Sequence, residues 1–78
     1  MPTIFKVGTY RFYCYSHEPN EPPHIYIDRD HLSAKFWLKP VSLISNLGFK
    51  AKELNKLTLL VIEHQDTLLE KWYGYFSA

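Results

Sequence analysis

The sequence predicts a small α+β domain: a sheet of three to five short antiparallel strands packed on one long C-terminal helix. Three observations lead there. Apolar and aromatic residues alternate in short runs before position 46, the period of two expected of half-buried strands. Glycine and proline punctuate those runs. After Phe49, apolar residues recur at three- and four-residue spacing, which marks one face of a helix. Seventy-eight residues amount to one small domain over 1–78.

The elements follow in order. Thr3 to Val7 is a short apolar run and a first strand. Gly8-Thr9 suits a two-residue hairpin turn. Tyr10 to Ser16 is rich in aromatic rings, which favour strands. Glu18 to Pro23 cannot be regular, because three prolines between Pro19 and Pro23 fix φ and remove donors. His24 to Asp28 alternates as a third strand, Arg29-Asp30 turns, and His31 to Leu38 is a fourth. Pro40 interrupts the ladder, Val41 to Ser45 is a short fifth strand, and Asn46 to Gly48 turns the chain into the helix. On that helix Leu54, Leu57, Leu60, Val61, His64, Leu68, Trp72 and Phe76 share one stripe.

The period of two sorts the strand residues between two faces. Phe12, Cys14, Ile25, Ile27, Ala34, Phe36 and Leu38 belong under the helix, against Leu57, Val61, Leu68 and Trp72. Arg11, Tyr13, Tyr15, His24, Tyr26, Lys35 and Trp37 fall on the opposite face. One helix covers one face only, so this second set is expected to form an open surface of rings and cations. Tyr, Trp and Arg are the residues that anchor interfaces, and the same rings stack single-stranded bases. An alternation of Tyr and Lys is also the ordinary look of a half-exposed sheet.

Composition narrows the function classes. A net charge of +1 supplies no broad basic field for duplex DNA. The longest apolar run, Leu57 to Ile62, is too short to span a bilayer, and Met1 leads straight into a strand-like run without a signal pattern. A single cysteine, Cys14, fits a reducing cytoplasm. Aromatic residues make up 17% of the chain, more than so small a domain easily hides.

The segment Ser16 to His31 holds three of the four histidines and four of the eight acidic residues. Loops held by a sheet are where binding and catalysis concentrate. A metal site is not expected there. His24 and Asp28 share a face but stand about 13 Å apart along a strand, whereas zinc bonds are about 2.0–2.2 Å. Acid–base chemistry would draw on His24 with His17 or Glu18, the residue types of a metal-independent ribonuclease. The competing account makes Glu18 and Glu21 solvated charges and His24 a ring that bonds a loop carbonyl and pins the Pro22-Pro23 turn. His64 lies on the apolar stripe as a core-edge residue. No cofactor is expected.

The runs EPNEPPHIYI (Glu18 to Ile27) and AKFWLKP (Ala34 to Pro40), with Gly48-Phe49, Glu53-Leu54 and the N-terminal MPTIFKVGTYRFYCYS, carry a resemblance. The chain resembles a group of short bacterial proteins catalogued as domain of unknown function 4160. The resemblance implies a compact α+β domain. It also implies a small protein partner encoded by a neighbouring gene, in a toxin–antitoxin-like two-gene cassette. No activity is attached to the group. Its pattern reads His-Ile-His where this chain has His24-Ile25-Tyr26, so a two-histidine chemistry would lack half its pair here. The reading is therefore a cytoplasmic protein-interaction module that docks a small protein, or a second copy of itself, through Arg11, Tyr13, Tyr15, His24, Tyr26, Lys35 and Trp37. A ribonuclease and a single-stranded nucleic-acid binder are the alternatives.

Overall fold

A computed structural model describes residues 3–14 and 21–76. Five strands, β1 (Thr3–Val7), β2 (Tyr10–Tyr13), β3 (His24–Arg29), β4 (Leu32–Leu38) and β5 (Val41–Leu47), precede α1 (Ala51–Glu63) and α2 (Gln65–Phe76). The strands form one antiparallel meander in chain order, β1-β2-β3-β4-β5. Short connections make that order the simplest outcome, since consecutive strands pair most readily when their turns are tight.

The turns use the residues their geometry needs. Gly8 and Asp30 take positive φ, +57° and +58°, in the hairpins β1–β2 and β3–β4. Asp is one of the few residues with a side chain that tolerates this region. Lys39-Pro40, joined by a cis peptide bond, links β4 to β5. At the sheet-to-helix junction Gly48 has φ +97°. A Cβ there would also stand 2.5 Å from Leu32 Cδ2. Asn46 completes this turn: its Nδ2 donates to the Phe49 carbonyl and its Oδ1 accepts from the Phe49 N–H, at 2.9 and 3.0 Å.

The core lies between the sheet and the helices. Phe12, Cys14, Ile25, Ile27, Ala34, Phe36 and Leu38 are buried from the sheet side. Phe49, Leu57, Val61, Leu68 and Trp72 close over them. The two periodicities thus select the faces the sequence predicts. The registers agree: Phe12 pairs with Ile27, Ile27 with Ala34 and Ile25 with Phe36.

One expectation is corrected. The C-terminal segment is two short helices rather than one long helix. The break falls at His64, with φ −104° and ψ 14°. Neither proline nor glycine stands there, so packing sets the bend. A straight helix over 51–76 would run about 39 Å, whereas a seven-residue strand spans only about 23 Å. Bending keeps both halves on the sheet. Two contacts hold it: the His64 ring lies 4.8 Å from that of Phe5, and Gln65 Nε2 donates to the Leu38 carbonyl at 2.6 Å. No helix among the described residues is long and apolar enough to cross a membrane.

Two substitutions test this packing. Leu57 has no exposed surface, so Leu57→Ala should lower unfolding free energy by about 2–5 kcal/mol in a urea titration. Gly48→Ala should also lower the urea midpoint, because it adds a strained φ to a close contact with Leu32; an unchanged midpoint would show that the turn relaxes freely.

Candidate functional site

The face away from the core is built from β2, β3 and β4. Register places Tyr13 opposite Tyr26, Arg11 opposite Asp28, Tyr26 opposite Lys35, and His24 opposite Trp37. Cross-strand neighbours on one face stand about 4.5–5.5 Å apart, so their side chains must interact. Rings and cations alternate. The Arg11 guanidinium lies 5.2 Å from the Tyr13 ring. Tyr13 stacks on Tyr26 at 5.3 Å, with 13° between planes. Lys35 Nζ stands 5.3 Å from the Tyr26 ring and 5.8 Å from the Trp37 ring. Cations over ring faces are attracted by the ring quadrupole.

Carboxylates close both ends of this row. Tyr13 donates its hydroxyl to Asp28 Oδ1 at 2.9 Å, and Arg11 reaches Asp28 Oδ2 at 3.4 Å. Lys35 Nζ donates to Glu21 Oε1 at 2.9 Å. Burial alone would lower the Lys35 pKa. Its hydrogen bonds to Glu21 and Tyr26 outweigh that and raise it above the usual lysine value, so the cation persists in the row.

The structure brings Arg11, Tyr13, Tyr26, Lys35 and Trp37 together as expected, and corrects how open they are. Tyr13 is only 4% exposed, packed under its neighbours. Tyr26, Lys35 and Trp37 remain half-buried, and so does Arg11. Tyr15, His17 and Glu18 lie outside the described residues.

His24 departs from the open face and follows the competing account, in which its ring bonds a loop carbonyl. It has no exposed surface. Its Nδ1 donates to the Pro22 carbonyl at 2.9 Å, with Glu21 Oε1 at 3.7 Å. Edge-on contacts to Tyr26, Trp37 and Trp72, with ring centroids 5.7–6.2 Å away, wall the imidazole in. The Pro23 carbonyl is also tied down, accepting from the Leu38 N–H at 2.9 Å. The ring therefore pins the end of the proline run where β3 begins, where the sheet's aromatic face meets α2. A proton-transfer group must reach the atom it serves, and this covered ring does not present itself to solvent. Among the described residues, no three His, Cys, Asp or Glu side chains lie together as metal ligands.

A second polar centre escaped the sequence reading. Arg29, at the end of β3, donates to Glu53 in the first turn of α1 through Nε at 2.7 Å and Nη2 at 2.8 Å. Tyr10 adds its hydroxyl to Glu53 Oε2 at 2.7 Å. This bidentate pair, strengthened by a third bond, clamps the helix to β2 and β3. The bond to Arg29, then that to Tyr10, holds the Glu53 pKa down at about 2. Burial first, then the bond to Glu53, raises that of Tyr10. A shallow cleft beside the clamp is lined by Lys50, Lys52 and Lys56 with Tyr10 and Glu53. Arg29 and Glu53 are 24 positions apart, so no local pattern could link them.

A meandering sheet closed on one side by a bent helix pair, with an aromatic–cationic row on its other side, defines a small sheet-and-helix α+β domain. The chain belongs to the family described as domain of unknown function DUF4160, whose family model matches residues 9–73. No curated protein and no solved structure matches the chain.

The clamp makes stability acid-sensitive in a defined window. Because the folded pKa of Glu53 is lowered, its contribution is complete above the unfolded value near 4.5 and is lost as pH falls toward about 2. Glu53→Gln should be less stable than the parent at pH 7 and should lose less between pH 4.5 and 2, as followed by circular dichroism in urea. Equal losses in both proteins would remove the clamp from the account.

Proposed function

We propose that this protein is an interaction module that docks a small protein partner on the aromatic face of its sheet. The observation that carries the reading is the row Arg11, Tyr13, Tyr26, Lys35, Trp37, whose cations and rings hold one another in place at 5–6 Å. Preordered rings bind at low entropic cost, since little side-chain freedom remains to be lost. Half-buried Tyr26 and Trp37 would supply the anchors. Asp28 and Glu21 already satisfy Arg11, Tyr13 and Lys35. The complementary surface is therefore apolar, with few charges of its own. A partner encoded next to this gene, as in a two-gene toxin–antitoxin-like cassette, is the first one to try.

The covered imidazole of His24 speaks against the ribonuclease alternative, since the anchored ring is occupied in shaping the loop. Single-stranded RNA would use the same rings through stacking. It would bring a dense phosphate charge to a row whose cations are already engaged.

The test is co-expression of the chain with its neighbouring gene product, followed by titration calorimetry of the purified pair. A Tyr26→Ala, Trp37→Ala double variant should keep the parent's circular dichroism spectrum. It should bind at least about tenfold more weakly, since two hot-spot truncations cost more than 1 kcal/mol each. Undiminished binding would rule out this face, and tight binding to single-stranded RNA in place of the protein would turn the reading to nucleic acid.

A further inference from the structure

We infer that two copies of this chain pair through the β5 edge, joining their sheets into one continuous ten-stranded sheet with the α1 helices side by side. The inference stands apart from docking on the aromatic face, because it uses a different surface.

Strand β5 is an edge strand. Among the described residues it pairs with β4 alone, so one side of its backbone is left as a template for another strand. Edges are ordinarily guarded by charge, proline, a bulge or brevity, and of these β5 carries only the register shift at Ile44. The five-residue edge β1 carries Lys6. The seven residues of β5, VSLISNL, include no charge and no proline. Three of them are apolar and exposed: Leu43 at 42%, Ile44 at 37% and Leu47 at 71%. Register assigns them to both sides of the sheet. Leu43 pairs with core-facing Phe36, Leu47 pairs with Ser33 on the aromatic side, and Ile44 is the extra residue between them where the register shifts. A strand added at this edge would cover apolar surface above and below.

The helix layer continues the same boundary. Glu53 and Lys56 turn one flank of α1 toward β2 and β3, through the clamp and through the contact of Lys56 with the Tyr10 ring. At about 100° per residue, Ile62 lies on the flank opposite Glu53, and Ala51, Asn55 and Thr58 fall within about 40° of it. That flank has no charge, although Lys50, Lys52, Glu53, Lys56 and Glu63 crowd the remainder of the α1 surface. Ile62 is 52% exposed. An uncharged strand edge and an uncharged helix flank therefore lie on the same side of the domain.

The occupant follows from this lack of charge. Among the described residues this edge offers no row of ordered rings and no charge pattern for a foreign partner to match. A two-fold contact needs only a surface that matches itself. Within β5 no charged residue stands to oppose another across a two-fold axis, and Leu43, Ile44 and Leu47 are exposed there. A net charge of +1 adds little repulsion between copies. An edge about 23 Å long and two layers deep sits at the small end of specific interfaces, near about 600 Å² per partner. The expected dimer is therefore a dynamic one, with Kd on the order of 10 μM.

Sedimentation equilibrium of the purified chain, from about 1 μM to 1 mM, should show reversible monomer–dimer exchange. Ile44→Lys and Ile62→Lys each add a cation to both copies of an otherwise uncharged contact and should weaken dimerisation at least about tenfold. The Tyr26→Ala, Trp37→Ala variant should remain as dimeric as the parent, which separates this edge from the docking face. Hydrogen exchange on the unaltered protein covers the case of a variant that fails to fold: the β5 amides should gain protection as concentration rises. A monomer throughout the range, a dimer indifferent to both edge variants, or β5 amides insensitive to concentration would overturn the inference.

Discussion

Closure of one sheet face by Leu57, Val61, Leu68 and Trp72 is the contact on which the rest of this domain depends. Five short strands in a meander have no stability of their own without an apolar layer against them. A chain of this length has little buried surface to spare. The helices therefore follow the sheet rather than their own axis. The break at His64 lets α1 and α2 cover core residues from Phe12 to Leu38 without overhanging them. The Arg29–Glu53–Tyr10 clamp then fixes where the first helix begins. Gln65 fixes where the second one does.

Covering one face leaves two other surfaces to be managed, and the chain treats them differently. The aromatic face is filled from within: rings stack, lysine and arginine lie over them, and carboxylates hold the cations. That surface is ordered before anything binds it. The β5 edge is left plain, with no charge along seven residues and three exposed apolar side chains. A rigid patterned face suits recognition of something different from itself, while an unpatterned edge suits a copy. The two proposed surfaces are separate, since the aromatic row lies on β2 to β4 and the edge is β5.

His24 shows how a titratable residue can mislead. Between two prolines and a strand it has the marks of a catalytic group, and its chemistry is suited to neutral pH. Its neighbours decide otherwise. Trp37 comes from the paired strand and Trp72 from a helix about fifty positions away in sequence. Together they cover the ring, while the Pro22 carbonyl takes up Nδ1. The histidine becomes a structural pin at the mouth of the loop.

Much of this was legible in the residues. Alternation over His24–Asp28 and Ala34–Leu38, and the helical stripe through Leu57, Val61, Leu68 and Trp72, assign the core face. They do so because side-chain direction is a local consequence of backbone geometry. The family resemblance drawn from the sequence agrees with the family model over residues 9–73. What local pattern could not decide were the features set by distance in space. The helix break at His64 carries no breaker residue and answers to the length and shape of the sheet. The burial of Tyr13 and His24 depends on neighbours from other strands and from α2. The Arg29–Glu53 clamp joins residues with no periodic relation. Periodicity assigns a side chain to a face, but only the packed chain determines what else arrives there, and that decides whether a ring is a surface or a core.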